Sequence, residues 1–368
     1  MMSKVFFTDL RTEPKRSLLD KIGNMVERLN VKKAFRPGEL IGIKVHFGER
    51  GNTAFIRPLL LRPIIEKLLE YKVKPFLTDT NTLYKGSRSD AVSHVLTAIY
   101  NGFDYSSTGC PIIIADGLKG RSGKKIIING EILKEVSIAY GICEADGLFV
   151  VTHFKGHELT GFGGALKNLG MGCASREGKL VQHSSVSPYV DVQACKGCRV
   201  CVSYCPEDAI EIVEKKAKID SKKCIGCAEC VIVCESKAIK IDFNEPPEVF
   251  QKKMVEHAYG VWSQKKGKIF FVNFVLQVSP ACDCYPNSDS PIVRDIGILA
   301  STDPVALDKA SCDLVNEEVS FPKTAIKKAH EPKTDKWKDL YPNVDWEIQL
   351  AYAEKLGMGN RTYTLVKI

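Results

Sequence analysis

The stretch "GLFVVTHFKGHELTGFGGALKNLGMG", residues 147–172, joins an apolar run to a glycine-rich loop and a short helix. The first part is a continuous apolar run, as in strands that are buried on both faces of a parallel sheet. The second part surrounds a single lysine, Lys167, with glycines. A buried strand followed by a loop and a helix predicts one unit of an α/β fold.

The glycine-rich loop matches neither common phosphate-binding pattern. Phe162 stands where a P-loop has its lysine, and Leu166 stands at the third glycine position of the dinucleotide fingerprint. We interpret the loop as a place where the backbone approaches a ligand and where helical N–H groups and Lys167 meet an anion. The alternative is a tight turn with small residues for packing. The candidate ligand-contacting glycines are Gly161, Gly163 and Gly164.

Strands and amphipathic helices alternate on both sides of this stretch. Strands are predicted within 4–8, 39–47, 73–79, 111–116, 146–154, 268–278 and 295–301, and a hairpin with an Asn129-Gly130 turn within 124–138. Pro63 is expected to kink or restart one helix, and Asp303 with Pro304 to begin another. The pattern predicts an α/β fold with a largely parallel, doubly wound sheet.

Eight of the fourteen cysteines form two copies of C-x2-C-x2-C-x3-C. This is the ligand spacing of bacterial ferredoxins with two 4Fe–4S clusters, whereas zinc sites use pairs of C-x2-C. In that pattern the fourth cysteine of each copy binds the other cluster. One predicted ligand set is Cys195, Cys198, Cys201 and Cys234, and the other is Cys224, Cys227, Cys230 and Cys205.

The ferredoxin-like spacing lies inside the α/β pattern, which resumes after it. We therefore predict an inserted α+β two-cluster module at 188–245, between the first part of the α/β body at 1–187 and the second part at 246–368. Ligands of open α/β sheets bind beyond the carboxyl ends of the strands. Candidate residues at such ends are Asp79, Asn81, His153, His157, Cys282 and Cys284; the two cysteines could bind a metal or a third centre, or be free thiols.

Several blocks resemble one protein family. "IKVHFGERGNTAFIRP", "GFGGALKNLGMG" and "DIGILASTDPVALD" are similar to blocks of the domain of unknown function 362 family, whose members often carry a ferredoxin insert. The resemblance covers nearly the full length. It implies the architecture but no particular activity.

A second resemblance is to lactate racemases, which bind a nickel-pincer nucleotide. It implies that Lys167 matches the lysine that tethers the cofactor, His183 a metal-ligand histidine and His157 a proton-transferring histidine. The loop "DTNTLY" lies where those enzymes hold the nucleotide, but it lacks their arginine and proline. An additional metal or nucleotide-type cofactor in the cleft is thus one expectation, and an unmodified Lys167 that binds an anion is the other.

The composition is typical of a soluble globular protein. The 368 residues carry a formal charge of +8 without a Lys/Arg-rich block, so nucleic acid is not an expected partner. No apolar run reaches the length of a membrane span, and the N-terminal segment lacks an apolar signal core, so we expect a cytoplasmic location.

The sequence leaves three functions open. The first is an iron–sulfur oxidoreductase or electron-transfer protein whose two clusters reduce a ligand in the cleft, with a redox partner protein or a small-molecule substrate. The second is a racemase-type isomerase in which the clusters are structural. The third is a maturation factor for a metal cofactor. The oligomeric state is not predicted.

Overall fold

A computed structural model describes residues 2–184, 186–243 and 245–368. Its strands are β1 (Ser3–Asp9), β2 (Leu40–Lys44), β3 (Lys74–Asp79), β4 (Ile112–Ile114), β5 (Gly123–Ile127), β6 (Glu135–Ala139), β7 (Gly147–His153), β8 (Lys155–His157), β9 (Gly161–Gly163), β10 (Tyr189–Val190), β11 (Ile210–Val213), β12 (Lys216–Ile219), β13 (Ile239–Lys240), β14 (Ile269–Val275), β15 (Gly297–Ser301) and β16 (Tyr363–Lys367).

Helices alternate with these strands. They are α1 (Leu18–Arg28), α2 (Val31–Ala34), α3 (Arg62–Glu70), α4 (Ala91–Tyr100), α5 (Tyr105–Thr108), α6 (Tyr140–Glu144), α7 (Ala165–Gly170), α8 (Arg176–His183), α9 (Val200–Ser203), α10 (Glu229–Val233), α11 (Pro247–Gln264), α12 (Pro304–Glu317), α13 (Lys336–Leu340) and α14 (Glu347–Lys355), with a 3-10 helix at Pro58–Leu61.

The predicted α/β fold is confirmed. Eight strands form one sheet in the order β16-β1-β15-β14-β7-β2-β3-β4. All neighbours pair in parallel except β15, which is antiparallel to both β1 and β14. The sheet is therefore largely parallel, and the carboxyl ends of β2, β3, β7 and β14 lie along the same edge.

Strand β7 lies at the centre of the sheet and is buried along its whole length. Leu148 and Val150 belong to one hydrophobic core, and Phe149 and Val151 belong to a second core on the other face. This alternation follows from the two-residue period of a strand. The first core is covered by α7, α11, α12 and α14, and the second by α1 and α3, so helices protect both faces from water.

Local predictions at helix starts agree with the structure. Pro63 lies in the first turn of α3, directly after the 3-10 helix, so the helix restarts there. Asp303 is the N-cap of α12 and accepts a hydrogen bond from the Ala306 backbone N–H.

The predicted hairpin differs in its details. Strands β5 and β6 do pair in antiparallel fashion, but they form a separate two-stranded sheet. Residues 128–134 connect them, and Ile128 and Asn129 both donate to the Lys134 carbonyl, so the Asn-Gly pair sits inside a longer loop. Segment 155–163 also forms a small ribbon, β8 with β9, where an open loop was expected.

Residues 189–241 contain short elements that pair mainly with one another. Strand β10 pairs with β13, and β11 pairs with β12. Helix α9 contains Cys201 and helix α10 contains Cys230, the third cysteine of each cysteine loop. A small hydrophobic core of its own holds this segment together. Among the described residues, no helix is both long and apolar enough to cross a bilayer.

Candidate functional site: a strand-end cleft beside two cysteine-lined cavities

The largest cavity lies at the carboxyl ends of β2, β3, β7 and β14. Its volume, including the space at its open mouth, is about 1920 Å³. Its lining includes Lys44, His46, Glu49, Asp79, Thr80, Tyr84, Arg88, Lys155, His157, Glu158, Gly164, Lys167, Asn168, Lys179, His183, Phe243, Cys282 and Cys284. We call this cavity the strand-end cleft.

The floor of the cleft is a buried ion network around Asp79, at the end of β3. Its carboxylate lies 2.9 Å from Lys44 Nζ and 3.4 Å from Arg88 Nη1. Burial alone would raise the pKa of Asp79, but the Lys44 ammonium and a hydrogen bond from His94 hold that pKa well below its ordinary value. Asp79 is therefore ionised, and it fixes Lys44, which also donates to Asn168 Oδ1 at 2.7 Å.

One wall of the cleft carries the two thiols of the Cys-x-Cys segment. Lys167 Nζ lies 3.7 Å from Cys282 Sγ. A hydrogen bond from Cys284 lowers the pKa of Cys282 well below that of an ordinary thiol, with further help from Lys167 and His157, although burial opposes it. The same hydrogen bond, together with burial, raises the pKa of Cys284. Cys282 is the thiolate of the pair, and Cys284 keeps its proton.

His183, the last residue of α8, also lines the cleft. Its ring lies 4.8 Å from that of Phe250 and 5.1 Å from that of Phe243. Burial lowers the pKa of His183 to about 3, and the nearby His157 and Lys167 add to that effect. His183 is therefore neutral at pH 7, and its Nδ1 atom has no hydrogen-bond partner within the described part of the chain.

Four residues predicted as site residues do not line the cleft. His153 Nδ1 is 2.8 Å from Asp283 Oδ1, so this histidine supports the turn that carries the two thiols. The Asn81 amide donates to Asp116 and to the Gly117 carbonyl, which holds the loop after β3 instead of facing a ligand. Gly161 and Gly163 are also absent from the cleft lining.

Two glycines of the loop, Gly161 and Gly164, lie where a Cβ would clash with another part of the chain. Gly161 has a positive φ of 75°, and a Cβ there would lie 2.4 Å from Trp346 Cβ. A Cβ at Gly164 would lie 2.3 Å from Asp308 Oδ1. The anion at the start of α7 is likewise part of the chain, because the Asp308 carboxylate accepts the Ala165 and Leu166 backbone N–H groups at 2.7 and 2.9 Å. The packing alternative describes this loop better than close approach of a ligand.

Two buried cleft residues were missed from the sequence. Lys179, on α8, donates to Thr80 Oγ1 and to the Ala174 carbonyl, and burial lowers its pKa to about 8. Arg88 joins Asp79 to Glu49, which lies 3.2 Å away. A lysine on the buried face of an amphipathic helix was the available signal for Lys179; Arg88 lies in a loop and gives no periodic signal.

The eight ferredoxin-type cysteines line two further cavities of similar size. One, of about 360 Å³, is lined by Cys205, Cys224, Cys227 and Cys230. The other, of about 330 Å³, is lined by Cys195, Cys198, Cys201 and Cys234. Each cavity thus combines three thiols of one loop with the fourth thiol of the other loop.

Each cavity offers four cysteine thiols, the donor set that a 4Fe–4S cluster takes. A 4Fe–4S cluster needs four thiolates spread around a larger body. The Ala209 and Ala238 backbone N–H groups donate to the sulfurs of Cys205 and Cys234, both at 3.2 Å, in matching positions of the two copies.

Helix α8 connects the second cysteine loop to the cleft. Arg176 Nη1, at its start, lies 3.3 Å from Glu229 Oε2 of α10. Leu180 packs with Leu83, Ala228 and Ile241 in one small hydrophobic cluster. The same helix presents Lys179 and His183 to the cleft. One helix therefore touches the cysteine segment with one face and the cleft with another.

Fold and site together define an α/β protein with a polar cleft at the strand ends and a cysteine-rich segment packed beside it. The profile of the family described as "domain of unknown function (DUF362)" matches residues 41–313, and the chain belongs to that family. Among curated proteins, none matches the sequence.

Two solved structures are similar to part of this chain. The lactate racemase apoprotein from Thermoanaerobacterium thermosaccharolyticum is 13% identical, with a TM-score of 0.38, and the match covers 74% of this chain and 50% of that one. A crystal structure of a protein from Thermotoga maritima is 10% identical, with a TM-score of 0.38, and the match covers 92% of this chain and 58% of that one. The chain therefore spans between half and three-fifths of the length of either structure.

Proposed function

We propose that this protein is an iron–sulfur electron-transfer protein that reduces an anionic ligand in the strand-end cleft. The observation that carries the proposal is the arrangement of the eight cysteines, since each predicted set of four thiols lines a cavity of its own. When bound, 4Fe–4S clusters at these cavities would supply one-electron transfer. The remaining roles belong to the residues of the chain.

The position of the cysteine segment supports delivery of electrons to the cleft. Glu229 of the second loop is held by Arg176 and Arg121, at 3.3 and 3.5 Å. Phe243, at the end of the segment, lines the cleft and packs against His183. Direct packing of the cysteine segment against the cleft lining favours electron transfer to a bound ligand, and a redox partner protein would reload the first loop, whose Cys198 is exposed.

The charge of the cleft supports an anionic ligand. Lys44, Arg88 and Lys155 are paired with buried carboxylates and hold the walls in place. Lys179 has only neutral oxygen partners among its hydrogen bonds. Lys167 also lines the cleft, and its Nζ atom contacts Cys282 Sγ at 3.7 Å. These two ammonium groups are the ones we expect to bind a carboxylate or phosphate.

His157 is placed to donate a proton. The Leu159 backbone N–H donates to its Nδ1 at 3.2 Å, so the neutral ring carries its own proton on Nε2. The ring also lies close enough to Cys282 to lower the pKa of that thiol. A reduction that needs a proton at the cleft thiols has a source within direct reach.

An anaerobic experiment tests the function. The full chain, purified without oxygen, should contain about eight irons, and its reduced visible spectrum should be reoxidised when the correct member of a set of small carboxylate and phosphate compounds is added. The control is the same protein after removal of iron with a chelator. Reduced clusters that no compound reoxidises, or proton exchange on a 2-hydroxy acid by the iron-free protein, would contradict electron transfer and favour an isomerase.

Replacement of Lys167 tests the cleft. We expect Lys167→Met to weaken binding of the anion that reoxidises the wild type by about 1–3 kcal/mol, the scale of a charge-assisted hydrogen bond. Titration of the reoxidation against anion concentration measures this. Lys85→Met is the matched control, because Lys85 lines the same cleft but is exposed to solvent that screens its charge. Equal losses in both variants, or none in Lys167→Met, would remove Lys167 from the site.

A further inference from the structure

The Cys-x-Cys segment is a turn whose conformation is held from several sides. The Tyr285 backbone N–H donates to the Cys282 carbonyl at 3.1 Å, so Asp283 and Cys284 are the central residues of the turn. Tyr84 donates its hydroxyl to the Cys284 carbonyl at 2.8 Å. The two thiols are therefore fixed on the cleft side of the turn, and both line the cleft.

Asp283 anchors this turn from below. One oxygen of its carboxylate lies 2.8 Å from His153 Nδ1, and the other lies 3.3 Å from Lys155 Nζ. Its own carbonyl accepts the Glu49 backbone N–H at 3.1 Å. Both side-chain partners of Asp283 come from the carboxyl end of β7 and the start of β8, so the sheet sets the position of the thiol pair. His153 and Lys155 are positioning residues.

The two sulfurs are close enough to react with one another. Both thiols line the same cleft and lie two residues apart in one turn, and each thiol shifts the pKa of the other, downward for Cys282 and upward for Cys284. Cα atoms two residues apart in a turn are separated by roughly 5–6 Å, within the range of about 4–7 Å that a disulfide bridges. Lys167 and His157 lie beside Cys282, and neither supports Cys284 in the same way. The environment therefore distinguishes an attacking thiol from a resolving thiol.

A metal ion is the competing occupant of this pair. Soft metals that bind two thiolates usually take further ligands. In the part of the chain that the structure describes, no group of three or more His, Cys, Asp or Glu side chains could hold an ion. Lys167 Nζ, 3.7 Å from Cys282 Sγ, also places a positive charge beside this sulfur, which disfavours a second cation there.

We propose that Cys282 and Cys284 form a redox-active dithiol that reduces a sulfur–sulfur bond of a substrate in the cleft. The Cys282 thiolate attacks the substrate disulfide, so that a bond to Cys282 Sγ forms, the substrate bond breaks and one thiolate leaves. Cys284 then gives its proton to the second leaving sulfur and attacks Cys282 Sγ. The substrate gains two electrons and becomes a thiolate and a thiol, while the pair loses two electrons and becomes an intramolecular disulfide.

This inference rests on the proposed function in one respect, since electrons from the clusters would return the disulfide to the dithiol. Its first half does not require the clusters. A small-molecule disulfide can therefore test the pair alone, and iron content measured on the same sample tests the clusters separately.

Peptide mass spectrometry of the full chain, with oxidised glutathione as the probe, gives the test. Trypsin releases residues 269–294 as one peptide, whose only cysteines are Cys282 and Cys284. We expect brief treatment of the anaerobic protein to remove two hydrogens from this peptide and to block its alkylation, and a dithiol reductant to reverse both changes. The peptides of Cys143 and Cys312 are internal controls, since neither cysteine lines the cleft.

Single replacements define the order of the steps. Cys284→Ser should stop at the first step, so that the peptide gains one glutathionyl group. Cys282→Ser should slow modification at least about tenfold, because the remaining thiol keeps its proton and reacts poorly. Failure of the wild-type peptide to form the disulfide, equal behaviour of the two variants, or a tightly bound metal that protects both thiols would overturn the proposal.

The cluster-dependent half has a separate readout. With the disulfide already formed, a reduced viologen should restore the dithiol faster in the iron-loaded protein than in the iron-free protein. Formation of the disulfide without this difference would retain the dithiol and contradict the proposed electron path. A protein that contains eight irons but forms no disulfide would contradict the dithiol and leave the cluster assignment intact.

Discussion

Cys234→Ser is expected to remove about half of the iron of the anaerobic protein, and the lost iron should be that of the cluster bound by the first cysteine loop. The reason is that Cys234, although it belongs to the second loop, lines the cavity of Cys195, Cys198 and Cys201. Iron analysis together with electron paramagnetic resonance of the reduced protein measures the loss. Cys205→Ser is the matched variant and should remove the other half.

Double replacements make this prediction specific. Cys198→Ser combined with Cys234→Ser should lose no more iron than either single variant, because both thiols line one cavity. Cys205→Ser combined with Cys234→Ser should lose nearly all of it. If Cys234→Ser and Cys227→Ser instead removed the same cluster, each loop would bind its own cluster and the crossed assignment would be wrong.

Replacement of Asp308 by alanine is expected to lower the free energy of unfolding by roughly 3–6 kcal/mol, because three buried N–H donors lose their acceptor. The donors are the backbone N–H groups of Ala165 and Leu166 and the Asn273 side-chain amide, at 2.7, 2.9 and 2.8 Å. Denaturant unfolding of the α/β body measures the change. Asp308→Asn is the control and should lose less, since its amide still offers one oxygen.

The pH dependence of the same pair of proteins is a second test. Burial raises the pKa of Asp308 to about 6, above the ordinary value of 3.8 that the carboxyl has in the unfolded chain. The native state therefore holds this proton more tightly, and its stabilising contribution is present below about pH 4 and lost as the pH rises through 6. The stability of the wild type relative to Asp308→Asn should fall over this interval. A constant difference would show that the carboxyl does not titrate there.

The sequence could predict features that depend on local period and spacing. The alternation along β7, with Leu148 and Val150 facing one core and Phe149 and Val151 the other, follows from the two-residue period of a strand, so the buried parallel sheet was readable. The N-cap at Asp303 needs only its own helix. The two sets of four cysteines, each with three from one loop and one from the other, were also predicted from spacing. The four cysteines that line each cavity are those of one predicted set.

The strand ends were predictable as a region but not residue by residue. The rule that parallel strands end at a common edge placed Asp79, His157, Cys282 and Cys284 together, and all four line the cleft. Lys167 and His183, which line it too, were expected from the glycine-rich loop and from the resemblance to lactate racemases. His153 satisfies the same rule but turns towards Asp283, 130 residues later in the chain. Only the packed structure could separate a residue that faces the cleft from one that supports it.

The sequence by itself determined the α/β class, the strand-end position of the cleft and the spacing of the eight cysteines, because backbone period and short-range geometry set these features. The tertiary structure alone decided that the glycine loop packs against Trp346 and Asp308, and that Asp308 occupies the start of α7 where an external anion was expected. A buried polar group forms its hydrogen bond with whatever the whole fold brings within about 3 Å of it. When the two partners are more than a hundred positions apart, no local sequence pattern indicates that they will meet.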